Sequence, residues 1–409
     1  MIQIRNVKQQ EYSTSQQEIK SNNTRLIFNL IRDHMPISRV ELSKLCSLSV
    51  SSVSNLVDDL LKKQWIIETE LVAASPRGRK SILLEVNNKF GCVATVELLG
   101  RSFICTIYDI CLKKIIGTRI RNTDYGANAI AETIRGLLRS AKLSLNTLMG
   151  IHLIFPGVVD SVSGSLLFSQ FFSVEDSLDR HLVISLARQF PQNTHIMIST
   201  NGSIIAFQSF LANKWAARLP LLSINIDEAI FAGVVLSSND NKKNFCFPVE
   251  IGHSVVDYHG KLCRCGNYGC AETLLNTLSL FRNLNEKAGM DLEYSEHFGS
   301  DCNVESIKKI ALALEAENKK VISVLEEYAH ILCSVLRSTV DLLSIRSIRI
   351  GGDIALLGEK FLTTLKNCFS TYFHPLNNAD QVQIELYVSD YEDVRKAATI
   401  MCLDDIFSK

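Results

Sequence analysis

The sequence predicts an α/β protein, with a small winged helix-turn-helix module at its N-terminus and a much larger body behind it. Three observations predict this. Residues 21–88 carry three short helical periodicities and then two strand-like segments around a basic tip. Beyond about Phe90, strand and helix signals alternate to the C-terminus, the pattern of sheets packed by helices. At 409 residues the chain is too long for one ordinary core, so two or three units are expected. The boundaries read as a polar segment over 1–20, a winged module over 21–88 and a body over 89–409.

In the first module, Leu26, Ile27, Leu30 and Ile31 recur at helical spacing between Asn22 and Asp33. Ser21 or Asn22 is placed to cap that helix, and Pro36 lies just past its end. A second short helix follows Ser38, with Glu41 at the capping-box position and Val40, Leu42 and Leu45 as its apolar side. After the turn Cys46-Ser47-Leu48, Ser49 caps a third helix, Val50 to Leu61, with Val53, Leu56, Val57 and Leu60 on one face. Trp65–Glu68 and Ser81–Val86 read as strands around Ser75-Pro76-Arg77-Gly78-Arg79-Lys80.

A tight turn between the second and third helices is the plan by which a helix enters the DNA major groove. The third helix opens with Ser49, Ser51, Ser52, Ser54 and Asn55, small polar groups able to approach base edges and phosphates. Arg77, Arg79 and Lys80 on the tip suit a narrow minor groove, where negative potential is highest. These eight residues are the candidate contacts to a double-stranded DNA operator. The competing reading is a small helical adaptor with a solvated basic loop.

Charge agrees with the first reading. Residues 1–90 hold 13 Lys and Arg against 9 Asp and Glu, and the remainder 30 against 34, although the whole chain is neutral. No apolar run reaches the ~20 residues of a membrane span, and the polar start lacks a signal-peptide core. Twelve cysteines without an export signal predict a reducing, cytoplasmic setting with thiols free or metal-bound.

In the body, Cys92–Glu97, Ser102–Tyr108, Lys113–Ile120, Met149–Phe155 and Ser347–Ile350 read as strands. Ala129–Leu143, Val321–Leu342 and Glu392–Ile406 read as helices, and no internal sequence repeat is visible. The strongest chemical signal is His253…Cys263-Arg264-Cys265-Gly266-Asn267-Tyr268-Gly269-Cys270. Three thiols and one imidazole within eighteen residues make a tetrahedral zinc set. Four protein ligands leave no position for water or substrate, so the zinc would be structural. Incidental cysteines or a redox pair are the alternatives. The other nine cysteines fall mostly in apolar segments and read as core residues.

These residues resemble the signature of the ROK family of repressors and sugar kinases. The matching stretches are Glu250-Ile251-Gly252-His253, Cys263-x-Cys265-Gly266-x-x-Gly269-Cys270-x-Glu272, Pro156-Gly157-x-x-Asp160 and Ile348-x-Ile350-Gly351-Gly352. The likeness spans essentially the whole chain and is strongest to the NagC/Mlc/XylR-type repressor branch, since free-standing ROK kinases lack the N-terminal module. It implies a two-lobed actin-like ATPase fold, a sugar or sugar phosphate in the cleft, and a homodimer or homotetramer. The implied sugar contacts are Asn201, Glu250, His253 and Glu272, with His253 also a metal ligand.

The resemblance also marks what is missing. The family's Asn-Asp pair falls on Asn201-Gly202, and glycine has no group to act as general base. The first phosphate turn falls on Glu97-Leu98-Leu99-Gly100-Arg101 and the second on Asp227–Gly233, both poor in the bare glycine backbone that cradles phosphate. A non-enzymatic transcriptional repressor of carbohydrate genes is therefore expected. The alternatives are a ROK sugar kinase with an appended DNA-binding module, and a regulator controlled by a sugar-transporter protein.

Overall fold

The structure is a computed structural model. It describes residues 16–73, 81–100, 102–121, 126–160, 163–169, 171–172, 179–212, 219–237, 244–295, 300–373, 382–388 and 390–408.

Helix α1 (Gln16–His34) is followed by a two-residue strand β1 (Ile37–Ser38), helix α2 (Arg39–Cys46) and helix α3 (Val50–Lys62). Strands β2 (Ile66–Ala73) and β3 (Ser81–Val86) pair antiparallel and, with β1, form a sheet of order β1-β3-β2. This is a winged helix. Both expected caps form. Ser38 accepts from the Glu41 N–H while the Glu41 carboxylate accepts from the Ser38 N–H at 2.9 Å. Ser49 accepts from the Ser52 N–H at 3.1 Å.

Three expectations for this region are corrected. Helix α1 begins at Gln16, so Ser21 and Asn22 lie inside it and cap nothing. Only Leu42 of the expected apolar side of α2 is buried, while Val40 and Leu45 are exposed, because α2 meets the core along a single row. Strand β2 continues to Ala73 rather than ending near Glu68.

Among the described residues the body holds two five-stranded sheets and a two-stranded one. The first contains β4 (Cys92–Leu99), β5 (Ser102–Asp109), β6 (Lys114–Arg121), β7 (Leu148–Phe155) and β10 (His195–Thr200) in the order β10-β7-β4-β5-β6. Helix α4 (Ala127–Ser140) lies between β6 and β7. The short strands β8 (Val158–Val159) and β9 (Leu166–Phe168) and helix α5 (Leu182–Ala187) lie between β7 and β10.

Helix α6 (Asn201–Ala212) leads into the second sheet: β11 (Leu221–Ile226), β12 (Ile230–Ser237), β13 (Asn244–Val249), β14 (Ser347–Gly351) and β15 (Gln383–Leu386), in the order β13-β12-β11-β14-β15. Between β13 and β14 run α7 (Glu272–Leu275), α8 (Thr277–Ala288), α9 (Asp301–Glu315) and α10 (Lys319–Leu343). Helix α11 (Gly358–Phe373) precedes β15, and α12 (Tyr391–Ser408) closes the described chain.

The two sheets have one topology. In each, the first three strands run antiparallel as a meander, and the fourth and fifth add in parallel on the far side of the first. This structural duplication is the two-lobed actin-like arrangement. Each lobe has its own core, around Phe103, Ile134 and Leu153 in the first and Phe281, Leu332 and Phe361 in the second.

Helix α12 belongs to more than one layer. Val394, Ala397 and Ala398 pack on Ile154 and Ile204, whereas Cys402, Leu403 and Phe407 enter the core of the winged helix. The Phe407 ring lies 4.1 Å from Trp65 and 4.4 Å from Phe28, centroid to centroid. Asn29 donates to the Asp404 carboxylate at 3.2 Å. Such large aromatic contacts dominate burial energetics, so the N-terminal module is docked on the body.

Candidate functional site

The metal-ligating candidates converge. One donor atom each from His253, Cys263, Cys265 and Cys270 lies within 4.8 Å of all the others. The Cys265 and Cys270 sulfurs are 3.6 Å apart, as are the Cys263 sulfur and His253 Nδ1. A tetrahedral ion with ~2.3 Å bonds to sulfur needs ligand separations of roughly 3.8 Å, so the donor set fits.

The loop is folded for this purpose by its backbone. Cys263 N–H donates to Asn267 O, Gly266 N–H to Cys263 O, and Gly269 N–H to Lys261 O. Gly269 has φ +70°, and a Cβ there would stand 1.5 Å from the Asp257 carbonyl oxygen, so only glycine fits. Burial holds the His253 imidazole below its ordinary pKa, which favours the neutral form a metal needs.

His253 faces the thiols through Nδ1, and its ring also borders a small pocket with Asn201 and Glu250. Pro156, Gly157, Phe168, Ile230 and Phe231 are among its other walls. Phe168 meets the His253 ring edge-on, with centroids 6.1 Å apart. The pocket measures about 20 Å³, room for about one water, so a sugar ring enters only if its walls part. Asn201 stands at the first position of α6, where β10 ends, and is buried. Its Oδ1 has no hydrogen-bond partner among the described residues. An orphaned buried acceptor costs ~1–3 kcal/mol unless a ligand or water satisfies it, so this oxygen is available to a hydrogen-bond donor entering the pocket.

Glu272, the fourth sugar candidate, lines a larger neighbouring cavity instead. It is tied to the small pocket through its carboxylate, which accepts from the Ile230 N–H at 3.0 Å.

The three positions that the resemblance aligns with the kinase features are tightly packed or paired within the chain. Gly202 packs so tightly on β12 that a Cβ would lie 2.1 Å from the Ala232 carbonyl oxygen. Glu97 is buried and paired with Arg395 of α12 at 2.8 Å, so the first phosphate turn offers an ion pair in place of open backbone. The second turn carries Asp227, whose carboxylate accepts from the Asp353 N–H at 2.5 Å and lies against Gly352. The glycine backbone beside β14, free to meet a phosphate in an open cradle, is thus occupied by a side chain. Burial, with Asp353 and Glu228 nearby, pushes the Asp227 carboxyl well above its ordinary pKa. A neutral carboxyl tolerates that site where a charged one would not.

On the winged helix, Ser49, Ser51, Ser52 and Asn55 are exposed, and Ser54 is half-buried. The Ser49 hydroxyl is 2.9 Å from that of Ser51 and 2.8 Å from that of Ser52, so this cap cluster is linked before any DNA arrives. Arg77, Arg79 and Lys80 lie outside the described residues, in the connection between β2 and β3.

Sequence reading did not single out Arg119 and Arg121, which border the larger cavity with Arg282. Their i, i+2 spacing on β6 puts both on one face, and that alternation was available as a signal. It also missed the Asp227–Asp353 contact, which joins residues far apart in sequence.

The model of the ROK family matches residues 93–398. A putative xylose repressor from Caldicellulosiruptor sp. (strain Rt8B.4) is 28% identical over 370 residues, covering 87% of this chain and 90% of the relative. A solved ROK family transcriptional regulator, described as a homologue of the E. coli Mlc protein, superposes with TM-score 0.73 at 21% identity, covering 96% and 98% of the two chains. A ROK glucokinase from Streptomyces griseus, solved with glucose and AMPPNP, gives TM-score 0.56 at 15% identity, covering 76% of this chain and 99% of its own.

Proposed function

Because the chain belongs to the ROK family, we propose that it is a DNA-binding transcriptional repressor of carbohydrate uptake or catabolic genes, with a sugar or sugar phosphate as its effector. It acts in the cytoplasm as a homodimer or homotetramer. Helix α3 enters the major groove of a double-stranded operator with Ser51, Ser52 and Asn55 toward base edges and phosphates, and Arg77, Arg79 and Lys80 reach the adjoining minor groove. A structural zinc ion held by His253, Cys263, Cys265 and Cys270 fixes the His253 ring at the effector pocket.

The observation that carries this reading is helix α12. Its C-terminal end lies in the winged-helix core beside Trp65 and Phe28, and its N-terminal half is ion-paired to Glu97 in the strand that borders the cleft. An effector that favours one arrangement of the lobes therefore acts on the element that carries the DNA-binding module.

Phosphoryl transfer is disfavoured by three features of the chain: Gly202 where a proton acceptor is required, Glu97 locked to Arg395, and Asp227 lying against Gly352. A glucokinase on the same fold indicates what the body could otherwise do.

The test is fluorescence anisotropy with duplex DNA from the chain's own upstream region. Tight binding to a palindromic segment, changed by one sugar or sugar phosphate of a panel, is expected. Absence of binding to that DNA at moderate salt, or steady ATP turnover with a sugar acceptor, removes the reading.

A further inference from the structure

The cavity next to the small pocket has a chemistry that hydroxyl recognition does not use. It measures about 620 Å³, and five of its bordering side chains are cationic: Arg119, Arg121, Lys261, Arg264 and Arg282. They arrive from three places in the chain: strand β6, the metal loop and helix α8. All five side chains belong to exposed residues. None forms an ion pair among the described residues. Arg119 is steadied by donating from Nε to the Ser102 hydroxyl at 3.1 Å.

The two acids of the cavity do not answer this charge. Asn303 donates to Glu228 at 3.0 Å, and the Ile230 N–H donates to Glu272 at the same distance. Both lie on the side of the cavity formed by the β11–β12 turn and α7. The twelve-residue helix α8 also begins at this wall, with Asn276 and Ser279 bordering the cavity, so its positive end adds to the field.

Five like charges around one cavity repel each other within a ~10 Å screening length unless an anion joins them. A neutral sugar can accept hydrogen bonds from them but brings no charge to offset theirs. A phosphate ester offers acceptor oxygens that guanidinium groups engage with paired, charge-assisted hydrogen bonds.

We propose that this cavity is an oxyanion subsite and that the effector is phosphorylated, its ring held by Asn201, Glu250 and His253 and its phosphate by Arg119, Arg121, Lys261, Arg264 and Arg282. The ring half rests on the effector reading above; the oxyanion half does not.

Calorimetric titration of the full-length protein with inorganic pyrophosphate, in chloride buffer of low ionic strength, tests the oxyanion half. A dissociation constant below about 1 mM is expected. The Arg264→Gln/Arg282→Gln and Arg119→Gln/Arg121→Gln double variants should each weaken it at least about fivefold, and the first should melt as the parent does, since both of its substituted residues are exposed. Pyrophosphate that fails to bind, or binds both double variants as well as the parent, overturns the proposal.

The second arm compares sugar phosphates with their parent sugars and with ATP. A sugar phosphate preferred at least about tenfold over its parent is expected. Asn201→Ala should reduce that sugar phosphate's affinity and leave pyrophosphate binding unchanged. Arginine-dependent pyrophosphate binding without preference for any sugar phosphate, or ATP binding tighter than all of them, supports the oxyanion subsite and overturns the ring half.

Discussion

Gly202 and Gly233 press backbone against backbone. A Cβ on Gly202 would stand 2.1 Å from the Ala232 carbonyl oxygen, and one on Gly233 would stand 2.2 Å from the Gly202 carbonyl oxygen. Helix α6 therefore starts flush against β12, and Asn201 is set at the pocket wall by that close approach. The opposing atoms are main chain, so no rotamer change relieves the clash.

Restoring a carboxylate at this position is consequently expected to fail twice. Gly202→Asp should lower stability by more than ~2 kcal/mol in urea unfolding, because α6 or β12 must shift. It should also give no sugar phosphorylation in a coupled ADP-release assay, since Glu97 and Asp227 remain in place. A Gly202→Asp protein as stable as the parent would refute the packing argument, and one that phosphorylates sugar would refute the account of the lost chemistry.

The winged helix was legible because its signals are local. Capping at Ser38 and Ser49, the apolar row of α3 and the strands around a basic turn each sit within a few residues. The cluster of four candidate metal ligands was legible for the same reason, as all four lie within eighteen residues of sequence. The duplicated sheet topology was not, because it lies in strand order and direction, which unrelated side chains satisfy equally well. The docking of Phe407 on Trp65 and Phe28 was equally hidden, since nothing near Phe407 in the sequence distinguishes an inter-module anchor from an ordinary core residue. Val40 and Leu45 misled for the converse reason: helical spacing identifies a face but not whether a neighbour covers it.

Removal of the metal should loosen the effector site before the fold. Purified protein is expected to carry one zinc per chain by atomic emission, and Cys263→Ser or Cys270→Ser to carry none. Chelation should lower the melting temperature by about 3 °C, the shift from ~2 kcal/mol in a body of about 320 residues. Fresh protein without zinc would refute the assignment, whereas metal loss without change in effector affinity would refute the coupling through His253.

Phe407 should matter to communication as well as to stability. Phe407→Ala removes a buried ring between Trp65 and Phe28 and is expected to cost about 3 kcal/mol. If α12 ties the module to the body, scanning calorimetry should resolve an earlier melting step for the winged helix. DNA affinity should also become less responsive to effector. A single unfolding transition with an undiminished effector response would show that the modules communicate by another route.

His152 gives a pH dependence whose sign follows from its surroundings. It is fully buried in β7, with Nδ1 2.6 Å from the Ala398 carbonyl oxygen of α12 and Nε2 2.9 Å from the Ser199 hydroxyl. A carbonyl only accepts, so Nδ1 carries the hydrogen, and in the neutral ring Nε2 is left to accept from the Ser199 hydroxyl. Burial pushes its pKa down to about 4, from an ordinary 6.5. The unfolded chain therefore binds this proton first as pH falls, and protonation favours unfolding. The contribution is complete above pH ~6.5 and is progressively lost as pH falls toward ~4, for a total of about 3 kcal/mol. Urea unfolding at pH 7.5, 5.5 and 4.5 should show this loss in the parent and a shallower one in His152→Asn, which cannot titrate. Because the ring bonds α12 directly, acid should also weaken the docking of the winged helix. Parallel pH profiles for parent and variant would show that His152 does not set this dependence.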